Sequence, residues 1–273
     1  MQRLDRLGWA EGIALCSYGL RVGVRVNAAG SIKQVLDRLP PGWKPAASPI
    51  VDHLFSLIIG RESRNAKIHR LSLAYYNAVR LARSRDPESV LKAFESELHL
   101  LVADNARGRI FVHAGVVGWR NQAIVIPGAS FSGKTTLVTK LVQAGAKYYS
   151  DEYAVFDPQG LVHPFPRPLG IRQPQRSVAD RVDVASLGGT AGARPLPVGL
   201  IVSTKYRSGG RWRPRRLTSG RGVLELLANT VSARSQTKLA LATLPKAVRK
   251  AEVLKGVRGE ADEVVEAILK RLP

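Results

Sequence analysis

Acidic residues are scarce in this sequence, cysteine is almost absent, and no long apolar run occurs. Asp and Glu number 21 against 42 Lys and Arg, a net charge of +21 at pH 7. The one cysteine, Cys16, excludes an internal disulfide and any cysteine-based metal cluster. No stretch approaches the roughly 20 apolar residues that a membrane helix needs, and the segment from Met1 to Arg6 has no apolar signal core. The expectation is a cytoplasmic protein without a membrane span. Internal repeats, low-complexity segments, an aromatic RNA-binding strand and a zinc finger are also missing, so the positive field carries no nucleic-acid signature. What remains is 273 residues at 45% hydrophobic content, enough for one large domain or two modest ones.

The chain reads as two parts. In residues 1–107, alternation from Glu11 to Val26 indicates two strands joined by a Gly-marked turn. A helix is expected from about Ser31 to Leu39, stopped by Pro40-Pro41-Gly42, and a strand pair around Leu54 to Ile59 and Lys67 to Tyr76. Asp86-Pro87-Glu88 opens a helix with Val90, Leu91, Phe94, Leu98 and Leu101 at helical spacing. This is the pattern of a small α+β module without evident chemistry.

Residues 108–273 carry the chemistry. Gly128-Ala129-Ser130-Phe131-Ser132-Gly133-Lys134-Thr135 fits G-x-x-x-x-G-K-[ST], between an apolar strand ending at Pro127 and a helix from Thr135 to Val142. In that setting successive backbone N–H groups converge on a polyphosphate at the positive end of the helix. Lys134 would reach the β/γ-phosphates, the Thr135 hydroxyl would ligand Mg²⁺, and Thr136 would continue the cradle. Strands are expected from Arg109 to Val117 and Gln122 to Ile126, flanking the turn Gly118-Trp119-Arg120-Asn121. A short strand, Lys147 to Tyr149, then delivers Ser150-Asp151-Glu152-Tyr153 to its carboxyl end, where α/β architectures gather ligands. Two neighbouring carboxylates, Asp151 and Glu152, beside phosphate-bound Mg²⁺ can divide the work: one holds the metal through oxygen or water, the other accepts a proton from the attacking hydroxyl.

Further on, a strand from Pro195 to Ser203, a hairpin or flexible basic loop from Arg211 to Arg216, a helix from Gly222 to Thr230 and a closing amphipathic helix from Glu260 to Leu272 are expected. Basic residues crowd this half: Arg167, Arg172, Arg176, Arg181, Arg194, then Lys205 through Arg216, and a group from Lys246 to Lys255. The charge permits nucleic acid, an anionic membrane or an acidic peptide without choosing among them.

Three elements in register resemble a known family. His113-Ala114-Gly115-Val116-Val117, the Gly-rich loop and Ser150-Asp151-Glu152 are similar to HPr kinase/phosphorylase, a bacterial serine kinase with a phosphoenolpyruvate-carboxykinase-like nucleotide core. His113 stands 21 residues before Lys134 (134 − 113) and Glu152 18 after it (152 − 134), as in that family. The likeness covers roughly residues 108 to 175. It implies an α/β fold: a P-loop kinase core of the HPr kinase/carboxykinase type over 108–273, preceded by the small module. It further implies ATP and Mg²⁺ as cofactors, His113 positioning or stabilising the transferred phosphoryl group, Glu152 as proton acceptor, and a serine-like hydroxyl of a protein, peptide or small molecule as phosphate acceptor.

The departures are Thr136 where the family has Glu after the metal hydroxyl, and Phe165 where its later signature has a Mg²⁺-ligating Glu. Arg167, Leu169, Gly170 and Ile171 of that signature are kept, and Arg167 is the best-motivated arginine to neutralise the transferred phosphoryl group. Loss of the Glu implies a kinase without the reverse, phosphorylase reaction. The alternatives are an ATP-binding regulatory protein or a nucleotide-dependent nucleic-acid-binding protein that transfers no phosphate. A carboxykinase is disfavoured by the short chain. An oligomer is compatible with the sequence.

Overall fold

The computed structural model describes residues 2–60, 71–129, 132–171 and 180–273. The protein is mixed α/β and divides into two compact units, Met1–Arg107 and Gly108–Pro273. Among the described residues no helix is long and apolar enough to cross a membrane.

The first unit runs through a one-turn helix α1 (Gln2–Asp5), β1 (Glu11–Ser17), β2 (Leu20–Val26), α2 (Ile32–Leu36), β3 (Lys44–Pro45), β4 (His53–Ile58), β5 (Ser72–Tyr76), β6 (Val79–Ser84) and the long helix α3 (Pro87–Asn105). Its six strands lie in the order β3-β1-β2-β4-β5-β6, antiparallel throughout except for the parallel β2–β4 pair. The strand expected from Lys67 is seen from Ser72; Lys67 to Arg70 lie outside the described residues. Strand β6 had no counterpart in the sequence reading. It returns from β5 through a turn in which Asn77 takes φ 50°, a conformation asparagine tolerates. Helix α3 begins where Asp86 accepts the N–H groups of Glu88 and Ser89, both at 3.0 Å, and Pro87 in the first turn removes no helical bond. Its apolar stripe is buried, with Phe94 edge-on to Phe55 of β4 at 5.3 Å.

The second unit is built on an eight-stranded sheet. Its elements are β7 (Ile110–Trp119), β8 (Gln122–Pro127), α4 (Lys134–Gln143), β9 (Lys147–Ser150), β10 (Tyr153–Phe156), β11 (Val162–His163), β12 (Leu169–Ile171), β13 (Asp180–Val182), β14 (Val198–Tyr206), β15 (Arg215–Arg216), α5 (Ser219–Leu227), α6 (Thr237–Val248), β16 (Glu252–Arg258) and α7 (Asp262–Leu269). The sheet order is β11-β10-β7-β8-β14-β16-β15, with β9 also pairing β7. Strands β8, β14 and β16 are parallel; β7 runs against β8, β9 and β10. Strands β12 and β13 form a separate pair.

Period-2 alternation divides the core into two layers. Val112, Val116, Ala123, Val125 and Ile201 face α5 and α6, where Leu226, Ala240, Leu244 and Val248 cover them. Val117, Ile124, Ile126, Leu200 and Val202 face α4 and α7, covered by Leu137, Val138, Leu141, Val264 and Ile268. Burial of each such valine, leucine or isoleucine contributes roughly 1.5–3 kcal/mol, so both faces of the sheet hold their helices firmly. Helix α4 lies so close to β7 that a Cβ on Gly115 would meet Val138 Cγ2 at 2.6 Å.

Several bounds differ from the sequence reading. The helix expected from Gly222 starts at Ser219, because Thr218 precedes it and accepts the Arg221 N–H at 3.4 Å. Of the basic segment, only Arg215–Arg216 forms a strand, pairing Lys255 and Leu254 on β16. Helix α6 and strand β16 were not anticipated as elements.

Candidate functional site

The site builds on the ends of β8 and β9. Because β7 lies antiparallel to both, they point the same way, and the turns that follow them emerge at one edge of the sheet. The Gly-rich loop joins β8 to α4. Within it, Ser130 and Phe131 lie outside the described residues. Gly128 is anchored by its N–H to the His113 carbonyl at 3.2 Å, and Ala129 is exposed. Gly133 precedes the helix at φ +83°, in the left-handed region where a side chain would be strained. Among the described residues the buried Ser132 hydroxyl has no hydrogen-bond partner.

Lys134 opens α4 and is 9% exposed. Its Nζ donates to the carbonyls of Gly128 and Ala129, each at 2.8 Å. Burial lowers its pKa from the ordinary lysine value, against the opposing charges of Glu152 and Asp151. Thr135, the next residue, donates its hydroxyl to Asp151 Oδ2 at 3.0 Å. Thr136 is exposed on the first helical turn.

The acidic turn is held by three residues around it. The Ser150 hydroxyl accepts the N–H groups of Glu152 (3.1 Å) and Tyr153 (2.9 Å), a side-chain turn that fixes where both carboxylates emerge. The Tyr148 hydroxyl lies 3.0 Å from Asp151 Oδ1 and 2.8 Å from the Arg167 carbonyl oxygen. Burial, and then the charge of Asp151, push its pKa far up, so it stays a neutral donor. The Glu152 carbonyl accepts the Ala114 N–H at 3.1 Å, tying the turn to β7.

His113 and Glu152 meet across the β7–β10 ladder, with His113 Nδ1 3.6 Å from Glu152 Oε1 and the imidazole 4.9 Å from the Tyr153 ring. Burial works against the Glu152 charge. The neighbouring His113 imidazole and the positive charges of Arg167 and Lys134 outweigh it, holding the carboxyl below its ordinary pKa. Glu152 is therefore a carboxylate at neutral pH. All five residues singled out for catalysis, His113, Lys134, Asp151, Glu152 and Arg167, thus gather around one turn. Phe165 is fully buried, edge-on to Phe111 at 5.7 Å and to Tyr153 at 5.8 Å. It is a packing residue there, without a ligand atom.

Nothing in the sequence marks Arg258, and the sequence reading places Ser150 and Tyr148 in the acidic turn and its strand without marking them as the residues that hold the turn. Arg258 ends β16, is 1% exposed and donates from Nη2 to the Gly133 carbonyl at 2.8 Å. The basic segment 207–214 follows β14 on the same side of the sheet: the Arg207 N–H donates to the Arg258 carbonyl at 2.9 Å. In it the exposed Arg211 and Arg213 alternate with the less exposed Trp212 and Pro214, and Trp212 lies against Gly256. Arg172 and Arg176 lie outside the described residues.

Among the described residues no cluster of three or more His, Cys, Asp or Glu side chains is able to hold a metal ion. Thr135 and Asp151 together present one hydroxyl and one carboxylate oxygen 3.0 Å apart. This small all-oxygen set fits Mg²⁺, which binds through one or two protein groups and otherwise keeps water and phosphate oxygens. Compared with known protein families and with curated protein sequences, the chain matches none.

Proposed function

We propose that residues 108–273 form an HPr-kinase-like phosphotransferase that moves the γ-phosphoryl group of ATP to a serine-like hydroxyl. The observation that carries this reading is the 3.0 Å contact between Thr135, beside the loop lysine, and Asp151. It joins the Gly-rich loop to a turn whose second carboxylate, Glu152, faces His113. The resemblance in motif spacing points the same way.

In this reading the loop N–H groups and Lys134 hold the triphosphate. Lys134 exchanges its two neutral carbonyl partners for phosphate oxygens, which relieves the cost of its burial. Asp151 and Thr135 hold the metal, which, when bound, neutralises charge on the phosphates. Glu152 accepts the proton of the acceptor hydroxyl as that oxygen bonds to the γ-phosphorus and the bond to the bridging oxygen of ADP breaks. A carboxylate of low pKa is a modest base, and positioning and electrostatics supply most of the rate for phosphoryl transfer. His113 orients Glu152 and, when protonated, donates toward the transferred group. The exposed arginines 207, 211 and 213 place positive charge beside the site and favour an acidic acceptor. Phe165 leaves the family's metal-binding Glu position without a ligand, so the reaction runs as a kinase without the phosphate-driven reverse.

The test is incubation of the protein with γ-labelled Mg·ATP and three acceptors: free serine, an acidic serine peptide and a basic one. Label on serine, greatest for the acidic peptide, is expected. ATP binding without transfer to any of them would favour a regulatory nucleotide-binding protein instead. No binding of Mg·ATP would reject the site altogether.

A further inference from the structure

Among the described residues Arg258 is the largest fully buried side chain. Among the described residues its guanidinium donates to two neutral oxygens, Nη2 to the Gly133 carbonyl at 2.8 Å and Nη1 to the Gly259 carbonyl at 2.9 Å. The buried Nε–H has no hydrogen-bond partner among the described residues, and the group stacks 5.5 Å from the centre of the Tyr206 ring. The charge of the nearby Glu260 offsets only part of this burial, since that carboxylate is engaged by the Tyr206 hydroxyl at 2.9 Å and makes no hydrogen bond to the guanidinium. A cation withdrawn from water is costly unless a counter-charge meets it, and a core residue in this place needs no guanidinium. The charge lies against Gly133 so closely that a Cβ there would meet Nη2 at 2.5 Å. The peptide it grips, Gly133 to Lys134, leads into the N-terminal turn of α4, where helix dipole and free N–H groups already favour an anion.

We infer that Arg258 is a positioning residue of the nucleotide site: by holding the Gly133 carbonyl it aims the Gly133–Lys134 peptide at the β- and γ-phosphates, and those phosphates neutralise its buried charge. The inference rests on the reading of this loop as a nucleotide site. It makes a distinction that a merely structural arginine would not: affinity depends on Arg258 for ligands that carry two or more linked phosphates and little for one that carries a single phosphate. Arginine suits this task better than lysine because one planar group satisfies the Gly133 and Gly259 carbonyls together.

The test compares the full-length wild type with Arg258→Met, which keeps bulk and removes charge, and Arg258→Lys, which keeps charge but not the paired hydrogen bonds. Dissociation constants are measured by calorimetry for inorganic tripolyphosphate, ADP and AMP, all with Mg²⁺. For Arg258→Met the expected loss is on the order of 10- to 100-fold for tripolyphosphate and ADP and under about threefold for AMP. Arg258→Lys is expected to lose a lesser, several-fold amount on the same two ligands. If Arg258→Met does not fold, the lysine variant decides by the same comparison. Variants that bind tripolyphosphate and ADP as the wild type does, or that weaken AMP equally, overturn the role of Arg258 while leaving the site reading intact. A wild type that binds neither tripolyphosphate nor ADP overturns both.

Discussion

Lys134→Met tests the loop at its most exposed assumption, that the lysine is there for a ligand. Its Nζ makes two hydrogen bonds, each 2.8 Å, to the carbonyls of Gly128 and Ala129. Bonds from a charged donor contribute about 1.5–3 kcal/mol each, while removing a charge from a site 9% exposed relieves a desolvation cost of several kcal/mol. The two effects oppose, and methionine keeps most of the stem, so stability should change by no more than about 1 kcal/mol. For a unit of this size that is roughly 2–4 °C in melting temperature. Turnover should fall on the order of 10² to 10³, or about 2.7–4 kcal/mol of transition-state stabilisation.

The same burial has a pH signature. The Lys134 pKa in the folded protein lies below 10.5, so between that lowered value and 10.5 the unfolded chain binds more protons and stability rises with pH. The Met variant lacks this contribution. Urea midpoints of wild type and variant should therefore diverge in favour of the wild type as pH rises through that window. ADP release by a coupled assay, with circular dichroism to confirm folding, gives the main readout. A folded Lys134→Met protein that turns over ATP at the wild-type rate refutes the reasoning.

Glu152→Gln should retain Mg·ATP binding and lose phosphoryl transfer by about 10²- to 10⁴-fold, whereas Asp151→Asn should also raise the Mg²⁺ concentration needed; wild-type transfer in both would make the turn purely structural. Because the Glu152 pKa lies below 4.5 in the folded protein, its pairing stabilises the fold above pH 4.5 and is lost as pH falls through the folded value, and the acidic limb of the rate profile should likewise lie below 4.5. An acidic limb near neutrality would assign the proton acceptor elsewhere. Replacing the exposed Arg213, Arg215 and Arg216 with Gln should raise the KM for an acidic acceptor and flatten its salt dependence, since steering weakens as the Debye length falls from about 10 Å at 0.1 M to 3 Å at 1 M; an acceptor KM indifferent to both salt and substitution would refute it. Phe165→Ala should destabilise the protein by about 3–5 kcal/mol, as for other buried aromatics, read from denaturant midpoints; a loss under 1 kcal/mol would mean that the Phe111–Tyr153–Phe165 cluster is not packed as found.

What could be read from the sequence was what repeats or punctuates locally. The apolar runs of β7 and β8 and the Arg120-Asn121 turn are visible in the chain, and both turn residues do take left-handed φ, 47° and 62°. The stripe of α3 announces itself through the Asp86-Pro87 start. Less visible was α6, where Pro245 inside the helix is a local argument against it. The burial of Ala240, Leu244, Ala247 and Val248 against the sheet overrides that argument. Strands β11 and β15, two residues each, exist only because a neighbour pairs them. Arg258 was hidden for a related reason. In a chain with 42 basic residues, one arginine gains meaning only when a sheet of order β8-β14-β16 carries it back to a loop 125 residues earlier.

Spacing, by contrast, carried site information because strand pairing constrains it. From His113 to Lys134 the chain must finish β7, turn at Arg120-Asn121, return along β8 and cross the loop. From Lys134 to Glu152 it must complete α4 and come back along β9. Strand β7 serves both journeys, pairing β8 over 114–119, β9 over 116–118 and β10 over 110–113. A one-residue change within a paired strand on either path would shift a ladder by one position and turn its side chains to the opposite face, parting His113 from Glu152 or Thr135 from Asp151. The two intervals are thus the path lengths that let one strand hold a loop and an acidic turn at the same edge of the sheet, and that is why three short motifs, each weak alone, gain force from their register.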